Sequence, residues 1–170
     1  MSQFTQPELY DLLNRNRPLW LKGIDLSNAD LTLAYLEGAI LAGAILQGAT
    51  LTLANLQGAT LTLANLNNVS LQNANLQGAH LINASLTQSN LENADLSNAE
   101  LQNANLTGAD LTNANLQGAN LTEAVLDNAV LLNANLQGAD LTNASLQGAQ
   151  LNGANLANAK GVTVPAVTHQ

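Results

Sequence analysis

Cysteine is absent from this chain of 170 residues, so neither a disulfide framework nor a thiolate site is available and nothing marks its redox compartment. Charged residues make up 9% of the chain and aromatics 2%, whereas a soluble globular domain carries roughly 25% charged residues; the single domain expected at this length is no ordinary globule. No apolar run approaches the ~18 residues that cross a bilayer. The opening MSQFTQPELY lacks a basic head followed by an apolar core. The chain therefore reads as soluble and unexported, with the cytoplasm as its default compartment and no membrane partner. Cations are as scarce as aromatics. Arg15, Arg17, Lys22 and Lys160 are the whole set, so residues 24–159 hold ten carboxylates and no positive side chain. Direct binding to nucleic acid is not expected, because neutralising phosphates requires a basic stripe, while basic partners stay open.

What is present is leucine, at every fifth position from Leu21 to Leu156, 28 times without a gap. An α-helix advances about 100° per residue, so a period of five scatters leucines around its whole circumference. A straight strand alternates faces, and an odd spacing sends successive leucines to opposite sides. The pattern instead fits a chain that runs extended for about three residues and then bends, with leucine and the alanine two places before it pointing inward. Bends need tolerance of positive φ, and the position two after leucine is Gly or Asn in 23 of the 28 repeats. The exceptions are Leu33, Leu53, Leu63, Gln88 and Glu123. Stacked circuits of such a path let backbone groups pair between layers, which makes a solenoid.

The motif Ala, Asn or Asp, Leu, any residue, Gly or Asn covers residues 24–160, about four fifths of the chain, and resembles the pentapeptide-repeat proteins. The resemblance implies an all-β solenoid in which four pentapeptides make one square turn, a right-handed quadrilateral parallel β-helix. LQGATLTLAN at 46–55 and again at 56–65 agrees with an even count. On that basis residues 1–20 form an N-terminal cap with a short α-helix, 21–160 a β-helix of about seven turns, and 161–170 a partly disordered tail. At ~4.8 Å per layer the rod is about 33 Å tall. Phe fills central positions in other members, but here every centre is Leu. Leu26, Leu46, Leu66, Leu86, Leu106, Leu126 and Leu146 stand for the expected leucine stack, with Val69 and Ser89 interrupting the alanines. Each buried leucine contributes roughly 1.5–3 kcal/mol before chain entropy is subtracted, and stability belongs to the stack.

Open ends of a solenoid need covers. Thr5, Pro7 and Glu8 fit a capping box before a helix over 6–14, which places Leu9, Leu12 and Leu13 on one face. Phe4, Tyr10 and Trp20 are expected to cover the first turn as a lid. At the other end Gly161 stands where a leucine is due, a brief strand is predicted at 162–164 before Pro165, and the last residues are expected to be mobile. The turn 141–160 is then thinly covered, and its edge leaves both a monomer and an end-to-end homodimer open.

If a turn takes twenty residues, as the resemblance implies, residues twenty apart form columns. Tyr35, Asn55, Asn75, Asp95, Asn115, Asn135 and Asn155 would form an amide ladder of structural use. Trp20, Ile40, Thr60, His80, Glu100, Asn120 and Asp140 would set His80 beside Glu100, but a filled convex rod offers that pair no pocket, and no enzyme is expected. Scattered carboxylates predict no metal site and no cofactor. The threonine column beginning Thr32, Thr52 is broken by Gln72, Glu92 and Leu132, against ice binding. Exposed apolar positions stand out more. Leu33, Tyr35, Ile40, Ile45, Leu53 and Leu63, with Ala42, form a candidate contact surface, and Val125, Val130 and Leu132 a smaller second group.

The expected function is a non-enzymatic structural or protein-protein interaction module with an unknown partner. Some members of the family imitate duplex DNA and engage DNA gyrase, with quinolone resistance as one outcome, so an acidic gyrase-binding rod is the alternative. The ten carboxylates fall short of the charge on 33 Å of duplex, about 20 at one per ~1.7 Å. The chain also lacks an interruption in its repeats and an apolar final helix.

Overall fold

A leucine at every fifth place folds into a square because each pentapeptide supplies one straight side and one corner. The computed structural model describes residues 5–13 and 18–162. Each side is short: an inward alanine or its substitute, one outward residue, and an inward leucine. The outward residue pairs in parallel with the residue twenty places on, from Trp20 with Ile40 to Asp140 with Lys160, without a slip in register. Four pentapeptides therefore complete a turn, and the chain winds as a right-handed quadrilateral β-helix. The four sides carry, in order, the columns that contain His80, Ser85, Asn90 and Asn75.

Residues 106–110 show where the backbone groups go. Leu106 N–H donates to the Val125 carbonyl (2.7 Å), Gly108 N–H to Asp127 (2.9 Å) and Asp110 N–H to Ser89 (2.9 Å), linking the layers on both sides. Ala109 N–H closes the corner on the Leu106 carbonyl at 3.0 Å. That leaves Thr107 N–H, which donates to the Asn105 side-chain oxygen at 3.0 Å. Asn or Asp, wherever it precedes the leucine, is thus an Asx-type partner for the one N–H that the lattice leaves over. At Ser85 and Ser145 the layer below stands in: Thr87 N–H meets Asn67 and Gln147 N–H meets Asp127, both at 3.0 Å.

The second residue of every corner has positive φ, including the five positions that are neither Gly nor Asn. Leu33, Leu53, Leu63, Gln88 and Glu123 have φ of 60, 59, 61, 57 and 60°. Such a backbone costs an ordinary residue roughly 1–2 kcal/mol. It persists because hydrogen bonds fix it from two directions: Leu33 N–H donates to Thr52 (3.0 Å), and the next N–H, of Ala34, donates back to Leu31 (2.9 Å).

Leu26, Leu46, Leu66, Leu86, Leu106 and Leu126 are fully buried, with Val69 among the buried alanines. Buried Ser89 satisfies its hydroxyl on the Leu86 carbonyl at 2.7 Å. Leu146, Leu151 and Leu156, in the last turn, are only partly buried. At the other end α1, Gln6–Leu13, lies at the base of the rod. Its capping contact is one-sided: Glu8 accepts from both the N–H and the hydroxyl of Thr5, each at 2.8 Å. Asn14, the last residue of the expected helix, and Phe4 lie outside the described residues.

The aromatic lid is not what closes this end. Leu9, Leu19 and Leu21 are buried, with Leu12 and Leu13 packed against the core, whereas Tyr10 and Trp20 are 73% and 76% exposed. The reason is register. Trp20 occupies the outward place of a side, paired with Ile40, so Leu19 and Leu21 on either side of it point inward instead. At the far end Lys160 keeps its pairing with Asp140, and Gly161 then passes so close to the layer below that a Cβ would stand 2.4 Å from Thr142 N. A leucine does not fit there. Of the predicted strand 162–164, only Val162 is among the described residues, packed against the core.

Candidate interaction surfaces

The apolar residues proposed as a single contact surface do not share one face. Leu33 and Leu53 stack at the corner between the third and fourth sides, beside Tyr35 on the fourth. Leu63 stands at the corner between the first and second sides, flanked by Ile40 and Ile45, and Gly43 below it is open. The two groups occupy opposite edges of the rod, because positions ten apart are half a turn apart. Leu33 (70%), Leu63 (67%), Leu53 (53%) and Tyr35 (49%) are well exposed, Ile45 less so, and Ile40 is partly buried. Trp20, paired with Ile40, extends the Leu63 group outward. The fixed alternation of a side is the signal that would have placed Trp20 there. Tyr35 donates its hydroxyl to Glu37, which also accepts from Asn55 Nδ2 at 3.3 Å, so the Leu33 group has an anionic border.

His80 and Glu100 do meet, Nδ1 to Oε2 at 2.8 Å, on the first side. Their side chains are 44% and 42% exposed, so water has free access to the pair. Among the described residues no group of three or more His, Cys, Asp or Glu is placed to hold a metal ion. No helix among them is long and apolar enough to cross a membrane.

Asp25, Asp30 and Asp140, in outward places, hold their carboxyls below the usual range by local hydrogen bonds. For Asp30 and Asp140 the larger cause is the hydroxyl two residues on, Thr32 or Thr142, followed by that residue's N–H; for Asp25 it is the Ser27 N–H. Lys160 stands 3.7 Å from Asp140 and adds to the effect there.

The amide column on the fourth side is a ladder over part of its length. Asn155 Nδ2 donates to Asn135 (3.2 Å), Asn135 to Asn115 (3.1 Å) and Asn115 to the Asp95 carboxylate (3.0 Å). It stops there because an ionised carboxylate can only accept. Asn115, Asn135 and Asn155 also cap the N–H two residues on, so each amide serves layer and corner together.

A family model described as pentapeptide repeats matches in eight copies, over residues 21–58, 49–88, 59–103, 89–128 and 119–158. Among solved structures, HetL of the cyanobacterium Nostoc sp. strain PCC 7120, a pentapeptide repeat protein involved in heterocyst differentiation regulation, is 35% identical with a TM-score of 0.70. The match covers 82% of this chain and 73% of HetL. Rfr23 of the cyanobacterium Cyanothece 51142, also a pentapeptide repeat protein, is 43% identical with a TM-score of 0.51, over 54% of this chain and 61% of its own. A trypsin-treated variant of QnrB1, a plasmid-mediated fluoroquinolone resistance protein, is 21% identical with a TM-score of 0.71, over 89% of this chain and 81% of its own; that likeness is one of fold. No curated protein matches the chain.

Proposed function

Since the chain belongs to the pentapeptide-repeat family, we propose that it is a non-enzymatic interaction module whose partner, an unidentified protein, binds against the apolar corners of the early turns. The observation that carries this reading is leucine at 33, 53 and 63. Each is exposed by half or more, and each holds a left-handed backbone that Gly or Asn adopts at lower cost. Two unfavourable choices coincide at three positions, and a partner that buries those side chains offsets both. The regulatory role ascribed to HetL supports a function exercised through binding.

Affinity purification in parallel with the Leu33→Asn/Leu53→Asn and Leu63→Asn variants tests the proposal. Both variants relieve backbone strain, so folding should survive. A protein recovered with the native chain and lost with one variant supports the reading, and identical recoveries with all three chains remove it.

The acidic stretch 24–159, without Lys or Arg, favours a second reading, a DNA mimic that engages DNA gyrase. Its carboxylates are spread around the rod: Asp25, Asp30, Asp95 and Glu100 stand on four different sides. A supercoiling assay with purified gyrase decides this reading, and no effect at micromolar protein eliminates it.

A further inference from the structure

The corner between the fourth and first sides carries a second amide column: Glu37, Gln57, Gln77, Ser97, Gln117 and Gln137. Gln57 Nε2 donates to Gln77 Oε1 at 3.0 Å, so this rung runs upward, and the next layer of the column offers the Gln77 amide only Ser97. Ser97 is nearly buried and too short to reply. The asparagine ladder of the adjacent side runs in the opposite direction and ends on Asp95 in that same layer. The single rung of the glutamine column and the asparagine ladder thus stop side by side, one at an amide with donors to spare and one at a carboxylate. An open groove of about 590 Å³ lies there, lined by Gln77, Asp95, Ser97, Gln117 and Gly118 among others. That volume suits a short extended segment.

Asp95 is built into the groove. Its Oδ1 accepts from Ser97 N–H (2.9 Å) and from Asn115 Nδ2 (3.0 Å), which fixes the carboxylate plane, while Oδ2 accepts no hydrogen bond among the described residues. It is the one acidic side chain of the lining, within the stretch 24–159 that holds no Lys or Arg. We propose that this groove binds an arginine-bearing extended segment of a partner protein, with the guanidinium on Asp95 and a main-chain carbonyl on the Gln77 amide. A guanidinium is planar, always charged and weakly hydrated, and its forked N–H groups suit a fixed carboxylate edge better than the point charge of lysine. The segment's carbonyl supplies the acceptor that Ser97 cannot. The site shares no residue with the leucine corners, so either can fail without the other.

The test is titration of the ¹⁵N-labelled full chain with acetyl-Gly-Arg-Gly-amide, followed by amide shifts. The expected shifts cluster at residues 95–98 and 115–118 and saturate at millimolar peptide. Asp95→Asn, which keeps the Oδ1 acceptor and so the ladder, should weaken binding at least tenfold. Ser97→Gln, which extends the glutamine row into the groove, should abolish it, as should citrulline in place of arginine. Shifts spread equally over Asp30, Asp110 and Asp140, an affinity of Asp95→Asn within twofold of the native chain, or equal binding of the citrulline peptide would each overturn the proposal.

Discussion

One column passes through the corner between the third and fourth sides, and its lower and upper parts differ in everything except backbone. Leu33 and Leu53 occupy it below; Asn73, Asn93, Asn113 and Asn133 occupy it above, with φ of 56, 58, 58 and 55° against 60 and 59° for the leucines. Asparagine favours that conformation and leucine resists it. The corner is therefore imposed by the lattice of interlayer hydrogen bonds and the leucine stack, and its own residue merely complies. The outside of the rod is free to vary because the inside does not.

The sharpest way to break that contrast is to damage the inside. Leu106→Ala, in a fully buried place, should destabilise by about 2–5 kcal/mol, while Leu151→Ala, in the partly exposed last turn, should cost clearly less. Urea midpoints measure both, and equal losses would mean that the stack is not what sets the backbone. An outside change should act with the opposite sign. Leu33→Asn should stabilise by about 1 kcal/mol, seen as a rise of about 2–4 °C in Tm. A fall in Tm would show that the exposed leucine packs better than its 70% exposure implies.

The smallest expected effect concerns acid. Asp30 and Asp140 have folded pKa values below their ordinary one, so their contribution is fully present above the unfolded value near 3.9 and is lost as pH falls through the lower folded value. Thermal melts between about pH 5 and 2 should show the native chain losing stability slightly more steeply than Thr142→Ala, which lacks the hydroxyl that contributes most at Asp140. Parallel curves would indicate that the corner hydroxyls add nothing.

The square solenoid was legible because its cause is periodic: a five-residue beat excludes helix and straight strand, and the resemblance supplied the four-sided turn and the hand that the pairing of residues twenty apart now displays. Exceptions to the beat were harder to read. Leu33, Leu53 and Leu63 looked like departures at the corners, yet a residue's own preference yields to hydrogen bonds made by its neighbours in other layers. Aromatic character alone suggests a lid at Trp20, but its place between two inward leucines sends it outward. The groove at Ser97 leaves no mark in the sequence because neither Ser97 nor Asp95 is unusual alone. Only the glutamine column counted in twenties exposes the missing rung, and only the hydrogen-bond directions show that a rung and a ladder end there.

Pairing between n and n + 20 has a consequence for how such a chain can change length. Duplicating or losing twenty residues adds or removes a storey and leaves every column aligned. Duplicating or losing five preserves the beat and the buried stack, but everything beyond the join rotates by a quarter turn, so Asp95 would part company with Asn115. A gene built from one small unit can thus re-sort its outer faces in a single recombination step without disturbing its interior.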